Sequence, residues 1–184
     1  MRLDDATVPG VSAVSLPFAS TSNMTPNTPT SADLIALARA TATRHALDPA
    51  LVCALVEQES SWDARAMRYE PAFRMRYVTS LALPPTEEIA RSISWGLMQV
   101  MGQVAREHGF NGKFLSALCD PATGLDIGCQ VLAAKLSAAS KTLSPSLDAP
   151  PAADSLLNRA LNLWNGGANP AYPADVIARV GKYR

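Results

Sequence analysis

The sequence predicts a mostly α-helical protein. Apolar residues recur at helical spacing from position 31 onward, as in Leu34, Leu37 and Ala38, and this spacing places them on one face of a helix. Helix start and stop signals divide the same region, and Asp48-Pro49 is the clearest start. No stretch alternates apolar and polar residues as a half-buried strand does.

The first two helices are predicted from their caps. Ser31 can cap a helix over about residues 31–45. Asp48 supplies an N-cap acid and Pro49 the first helical position of a second helix, which continues to Glu59. The apolar residues of this second helix occupy neighbouring faces: Leu51, Val52, Leu55 and Val56. We therefore expect it to be buried on nearly all sides.

Prolines and glycines divide the rest of the chain. They predict a short helix after Pro71, one from Thr86 to position 93, one from Gly96 to Gly109, a long one from Pro121, one over residues 156–164 and a last one over residues 174–183. Residues 140–154 are rich in Ser, Pro, Ala and Asp and are expected to form a loop.

Residues 1–30 differ from the rest in composition. They are rich in Ser, Thr, Pro, Asn and Ala, and residues 21–30 hold too few apolar side chains to fold alone. We expect a disordered or partner-docking arm over residues 1–30 and a single domain over residues 31–184. The arm does not resemble a secretory signal, because Asp4 and Asp5 follow Arg2 and the apolar stretch at 11–19 is short and interrupted. No stretch approaches the ~20 apolar residues that span a bilayer.

Composition excludes some classes of function. Lys+Arg and Asp+Glu are 16 each, so the formal net charge of the 184 residues is zero. The chain therefore lacks the positive field that attracts nucleic acid. A glycan partner needs no such field, since sugars are bound by hydrogen bonds and apolar stacking.

The three cysteines do not form a metal-binding pattern. No Cys/His cluster has zinc-like spacing, so no metal or other cofactor is expected. Cys53 lies in the apolar second helix and is expected to be buried. Cys119 and Cys129 are close in sequence and can form a disulfide in an oxidising compartment, or remain free.

Glu59 is the candidate catalytic residue. It ends an otherwise apolar helix, so its carboxyl is expected between core and solvent. Burial there disfavours the charged form and raises the pKa, as a general acid near neutral pH requires. Ser60 follows it directly. Glu57 is interpreted as a solvated carboxylate without a catalytic role.

Two further stretches carry candidate binding residues. In the first, Gly96 allows close backbone approach and Gln99 offers an amide to a sugar, with Met101 two residues later. In the second, a helix runs into Asn165-Gly-Gly and exposes an amide at a sharp turn. Trp164 precedes this turn and either packs in the core, the favoured reading, or stacks on a sugar ring.

The order of these motifs resembles the lytic transglycosylases with a goose-type lysozyme fold, glycoside hydrolase family 23, which contain the SLT domain. Glu59-Ser60 is similar to the family's catalytic Glu-Ser, residues 96–99 to its Gly-Leu-Met-Gln, and Asn165 to the asparagine of its Ala-Tyr-Asn-x-Gly. The resemblance covers about residues 31–184. It implies a lysozyme-like fold, peptidoglycan as the substrate, Glu59 as catalytic acid and base, and Ser60, Gln99, Met101, Trp164 and Asn165 as substrate-binding residues.

The sequence departs from the family in two places. Trp164 replaces the family's tyrosine, and an indole donates a hydrogen bond but accepts none. Glu59 and Gly96 are also further apart than in the shortest members. The extra segment contains Arg68-Tyr69-Glu70-Pro71 and is similar to stretches in phage-encoded wall-degrading enzymes. This similarity, with the docking arm and the lack of a signal, suggests a virion or tail partner and a location in the virion or the host periplasm and cell wall.

Three functions remain open from the sequence. A lytic transglycosylase would cleave the β-1,4 MurNAc–GlcNAc bond with Glu59 alone and leave 1,6-anhydroMurNAc ends. A muramidase would need a second carboxylate to orient water, with Glu70 or Asp63 as the candidates; both can equally be solvated or paired with arginines. A structural virion protein would only bind glycan, although the presence of Glu59 argues against this.

Overall fold

The structure of the chain is a computed structural model that describes residues 28–141 and 156–184. The predicted arm over residues 1–30 lies almost wholly outside the described residues, and so does the predicted loop at 140–154. Eight α-helices occupy most of the described chain, which confirms the mostly α prediction: α1 Ser31–Arg44, α2 Pro49–Ser60, α3 Pro71–Phe73, α4 Pro85–Arg91, α5 Gly102–Glu107, α6 Pro121–Lys141, α7 Leu156–Trp164 and α8 Tyr172–Val180.

α2 forms the centre of the core. As predicted, Asp48 caps it by accepting from the Ala50 N–H, and Pro49 takes the first helical position. Seven consecutive α2 residues from Ala50 to Val56 are buried. α1, α8 and the C-terminal 3-10 helix Gly181–Tyr183 pack against α2. α1 itself is capped by Thr30 rather than by the predicted Ser31, through a capping box with Asp33.

A small antiparallel sheet lies between the helices, and no alternating pattern in the sequence had indicated its strands. Its strand order is β1 Met67–Tyr69, β2 Ile93–Trp95 and β3 Val100–Met101. The helix predicted to open at Gly96 is also absent there. Gly96 and Gln99 have φ angles of +67° and +46°, and left-handed residues end a right-handed helix. Residues 96–99 form instead the turn between β2 and β3, and α5 begins only at Gly102.

The extra segment folds as a series of short helical turns. The helix predicted after Pro71 is present as α3, followed by a π-helical turn Arg74–Val78 and a 3-10 turn Thr79–Leu81. Arg74 binds Glu88 of α4 at 2.9 Å, which ties these turns to α4. The segment therefore leaves the sheet at β1 and returns to it at β2.

α6 supports the sheet and the α7–α8 pair. A Cβ on Gly128 would lie 2.3 Å from the Met98 sulfur, so only glycine lets α6 approach the turn at this distance. α7 packs on α6 and α8 packs on α2, and together they bring the C-terminal part of the chain to the end of α2. Among the described residues, no helix is long and apolar enough to cross a membrane.

The Cys119–Cys129 disulfide is not formed, and all three cysteines are free. Cys129 is fully buried in α6, where Cys53 and Asp126 are among the groups that influence its thiol. Cys119 ends a 3-10 helix, Leu115–Cys119, and the backbone of Gly96 is among the groups that influence its thiol. The two thiols therefore lie among different neighbours, and closeness in sequence did not bring them together.

Candidate active site

Glu59 lies in the last turn of α2, where the helix leaves the core. Its carboxyl is part-buried and meets side chains from two other helices. The Trp164 indole at the end of α7 donates to Glu59 Oε1 at 2.9 Å. The Tyr172 hydroxyl at the start of α8 donates to the same oxygen. Both donors therefore converge on Oε1.

The environment shifts the pKa of Glu59. Burial raises the pKa above its ordinary value, and the hydrogen bonds from Tyr172 and Trp164 and the charge of Arg68 oppose this without cancelling it. The carboxyl thus keeps its proton to higher pH than an exposed glutamate. Burial and the adjacent Glu59 raise the pKa of Tyr172, so this phenol remains a donor.

The geometry also indicates which carboxyl oxygen carries the proton. An oxygen that accepts from two donors is a poor place for a proton of its own. We therefore place the proton of the neutral acid on Oε2. A carboxyl held by one oxygen and protonated on the other is suited to general acid catalysis.

Ser60 joins the end of α2 to the turn at 96–99. Its Oγ lies 2.8 Å from the Leu97 carbonyl and 3.1 Å from the Val56 carbonyl. Its proton is therefore used within the protein, and only its lone pairs remain for the substrate contact that the family resemblance implies. In this structure Ser60 holds the turn against α2.

Gln99 makes its side-chain hydrogen bonds within the protein, and its predicted contact with substrate stays a prediction. Its Nε2 donates to the carbonyls of Ala66 and Gly96, both at 3.0 Å, and its Oε1 accepts from Ser94 Oγ at 2.8 Å. Both amide hydrogens are consequently used, and none is left for a sugar. A polar side chain at a positive-φ turn position can satisfy the turn's own backbone in this way.

Met101 and Asn165 lie at two other places around the site. Met101 is part-buried in β3, where it pairs with Ser94 of β2. Asn165 follows Trp164, and its amide donates to the Asn169 carbonyl at 3.3 Å. Its side-chain oxygen has no hydrogen-bond partner among the described residues. Their predicted contacts with substrate stay predictions.

The two candidates for a second carboxylate are both engaged. Glu70 Oε1 lies 2.5 Å from Arg68 Nε. Asp63 Oδ1 accepts from the Arg65 backbone N–H at 2.8 Å and so shapes the loop after α2. The charged side chain that acts on Glu59 is Arg68, a cation.

Glu57 is not the solvated carboxylate that the sequence suggested. It binds Lys182 at 2.7 Å and the Tyr183 hydroxyl at 2.6 Å. These contacts lower the pKa of Glu57, with the hydrogen bond from Lys182 as the largest cause. Glu57 therefore fastens the C-terminal 3-10 helix to α2.

Sequence analysis missed two residues of the site. Tyr172 is 113 positions from Glu59 and stands in no motif of the family as identified above. Trp164 was a partial signal of Tyr172, since a tryptophan in place of the motif's tyrosine meant that any phenol near Glu59 had to come from elsewhere in the chain. Arg68 was noted within the extra segment, but its influence on Glu59 depends on how β1 pairs in the sheet.

Comparison with known proteins gives one match. A family model described as the transglycosylase SLT domain matches residues 36–169. The match spans more than half of the chain and includes Glu59, the turn at 96–99 and Asn165; Tyr172 lies beyond it. No curated protein and no solved structure matches the chain. Within residues 28–141 and 156–184, no group of three or more His, Cys, Asp and Glu side chains is placed to hold a metal ion.

Proposed function

The chain belongs to the transglycosylase SLT domain family, lytic transglycosylases that act on peptidoglycan and share a lysozyme-like fold, and on this premise we propose that it cleaves the β-1,4 bond between MurNAc and GlcNAc and leaves 1,6-anhydroMurNAc ends. The observation that carries the proposal is the state of Glu59. Its carboxyl is desolvated, its pKa is raised, and two donors hold one oxygen. These are the properties of a group that gives up a proton and takes one back.

In the proposed reaction Glu59 acts first as an acid. Its Oε2 proton moves to the glycosidic oxygen as the bond from that oxygen to C1 of MurNAc breaks, and GlcNAc leaves with a free 4-hydroxyl. Trp164 and Tyr172 then stabilise the carboxylate, because both donate to Oε1.

Glu59 acts next as a base. It removes the proton from the 6-hydroxyl of the same MurNAc, whose oxygen forms a bond to C1 and closes the anhydro ring. The proton returns to Glu59 and no water is consumed. The ion pair of Glu70 with Arg68 and the hydrogen bond of Asp63 favour this route over hydrolysis, which needs a second carboxylate to direct water.

The test compares the protein with its Glu59→Gln variant on purified peptidoglycan, with products identified by mass spectrometry. Gln is nearly isosteric but cannot donate the catalytic proton. Anhydro-muropeptides from the wild type and none from the variant are expected. Reducing ends would identify a muramidase and return attention to Glu70, and no product from either protein would favour a glycan-binding role.

We further propose a place for the protein in a phage virion or tail, acting in the host periplasm or cell wall. The support is the Arg68-Tyr69-Glu70-Pro71 stretch and the composition of residues 1–30. Deletion of residues 1–30 should abolish incorporation into particles while leaving peptidoglycan cleavage intact. Unchanged incorporation would refute this part.

A further inference from the structure

Arg68 lies in β1 beside the catalytic carboxyl but has no place in the reaction proposed above. β1 is an edge strand, and Arg68 pairs with Ser94 of β2, whose Oγ lies 3.3 Å from the Arg68 carbonyl oxygen. Its side chain is 73% exposed. Its charge also acts on the pKa of Glu59, so the two side chains are within electrostatic reach.

Glu70 orients the Arg68 side chain. Glu70 directly follows β1, and its Oε1 lies 2.5 Å from Arg68 Nε. This buried oxygen has no hydrogen-bond partner among the described residues, so the contact is an ion pair and not a hydrogen bond. The described residues provide no other partner for the guanidinium. Among the described residues, the two terminal nitrogens of the guanidinium therefore have no partner and can donate to a ligand. The ion pair with Glu70 positions the guanidinium.

We propose that Arg68 binds the acidic substituent on the 3-position of MurNAc and thereby distinguishes peptidoglycan from neutral polymers of GlcNAc. MurNAc differs from GlcNAc by a 3-O-lactyl group, which carries a carboxylate or an attached acidic peptide stem. An arginine fork matches a carboxylate with two parallel hydrogen bonds. The proposal rests on the proposed function, since it assumes that MurNAc is the sugar at Glu59.

Geometry of the sugar supports this placement. Glu59 must reach the bond at C1 of MurNAc, and the 3-substituent projects from the same ring. A group that binds this substituent must consequently lie near Glu59 without touching its carboxyl. Arg68 meets both conditions. Its carbonyl lies 3.3 Å from Ser94 Oγ, which binds Gln99 of the turn at 96–99. Ser60, the neighbour of Glu59, binds the same turn through the Leu97 carbonyl, and the Arg68 Nε edge is turned to Glu70.

The experiment measures binding in a Glu59→Gln background, so that no ligand is consumed. Affinity is determined by calorimetry for three tetrasaccharides: GlcNAc–MurNAc repeats with peptide stems, the same repeats with free lactyl carboxylates, and chitotetraose, which has neither. Arg68→Gln should weaken binding of one or both MurNAc ligands by about tenfold, as for loss of a hydrogen-bonded charge pair. Chitotetraose binding should not change. A loss confined to one MurNAc ligand identifies the lactyl or the stem carboxylate as the group bound.

Arg76→Gln is the matched control. This substitution removes the same charge. Arg76 lies in the π-helical turn, with its guanidinium 5.2 Å from the centre of the Tyr77 ring, and has no carboxylate partner among the described residues. It should leave all three affinities unchanged, whereas Arg68→Lys, which keeps the charge but loses the fork, should fall between wild type and Arg68→Gln.

Two results would overturn the proposal. Equal loss for chitotetraose would mean that Arg68 only shapes the site, and no loss for any ligand would mean that it does not contact substrate. The proposed function fails separately, if the wild-type chain releases no anhydro-muropeptides while Arg68→Gln still changes MurNAc binding.

Discussion

At the scale of single residues, Trp164 stands where the related enzymes have a tyrosine, and it keeps one function of that tyrosine. Its indole N–H donates to Glu59 Oε1 as a phenol could. It cannot accept a hydrogen bond or lose its proton near neutral pH. The phenol is supplied from another helix by Tyr172, which donates to the same oxygen. The substitution therefore leaves the carboxyl with two donors.

Removal of the Trp164 donor should change both the rate and its pH dependence. The hydrogen bond from Trp164 lowers the pKa of Glu59, so Trp164→Phe should raise that pKa further. Because the proposed reaction starts from the protonated acid, the alkaline limb of kcat/KM should move to higher pH. The maximal rate should fall about tenfold, since the carboxyl loses one of its two anchors.

Trp164→Tyr is the matched variant, because it restores a donor at this position. It should keep more activity than Trp164→Phe, and its alkaline limb should lie closer to that of the wild type. The measurement is the release of anhydro-muropeptides over a range of pH. Identical profiles for the Phe and Tyr variants would show that the hydrogen bond does not matter.

At the scale of elements, the turn at 96–99 positions the end of α2. Ser60 binds the Leu97 carbonyl, Gln99 binds the Ala66 carbonyl, and the Gly96 N–H donates to Ala66 at 2.8 Å. The turn thus connects α2, the loop after it and the sheet. The residues of this turn therefore join α2 to the sheet, whether or not they also contact a sugar.

Gly96 should be the least replaceable residue of this turn. A Cβ there would lie 2.3 Å from the Leu118 carbonyl oxygen, and φ is +67°. Gly96→Ala should therefore lower the free energy of unfolding by about 3 kcal/mol or more, since backbone would have to move.

Gly166→Ala separates the two causes. Gly166 has nearly the same φ, +66°, but nothing lies within 4 Å of its added Cβ. Gly166→Ala should lower the free energy of unfolding by only about 1 kcal/mol, the cost of an alanine in the left-handed conformation. Thermal denaturation of both variants checks this, and equal losses would mean that the contact with Leu118 is not tight.

The elements that sequence predicted well are those whose ends have local chemical signals. Asp48 and Pro49 mark the start of α2, and the helix before Asn165 ends where the sequence indicates. The β2–β3 hairpin was missed because its strands are two or three residues long, too short for alternation to show. The Tyr172 contact was missed for a different reason: it depends on how α8 packs against α2, which no local pattern contains.

At the scale of the whole molecule, the 3-10 helix Gly181–Tyr183 packs on α2. Tyr183 is 5% exposed. Its hydroxyl donates to Glu57 and accepts from the Trp62 indole at 2.9 Å, while Arg39 of α1 donates to its carbonyl. α1, α2 and the last helical turn are thereby joined. Glu57 belongs to this structural network, and Glu59, two residues further along the same helix, to the candidate active site.

The two glutamates should consequently have opposite effects on stability. Folding raises the pKa of Glu59, so the folded state loses stability as pH rises from the unfolded pKa, about 4.3, to the folded pKa. Folding lowers the pKa of Glu57, so its contribution is present above about pH 4.3 and is lost as pH falls through the folded pKa. Glu59→Gln should therefore raise the Tm at pH 7, and Glu57→Gln should lower it.

Thermal denaturation of the two variants from about pH 3 to pH 7 tests this contrast. At pH 7 the two Tm values should differ from that of the wild type in opposite directions, by about 2–4 °C for each kcal/mol of change in the free energy of unfolding. Both differences should shrink toward acid pH, where the wild-type carboxyls are protonated in the folded and the unfolded state. If Glu59→Gln destabilised the protein at pH 7, burial of Glu59 would not be costly, and its raised pKa could not underlie acid catalysis. The expected gain would mean that the fold gives up stability to keep an active carboxyl at the end of α2.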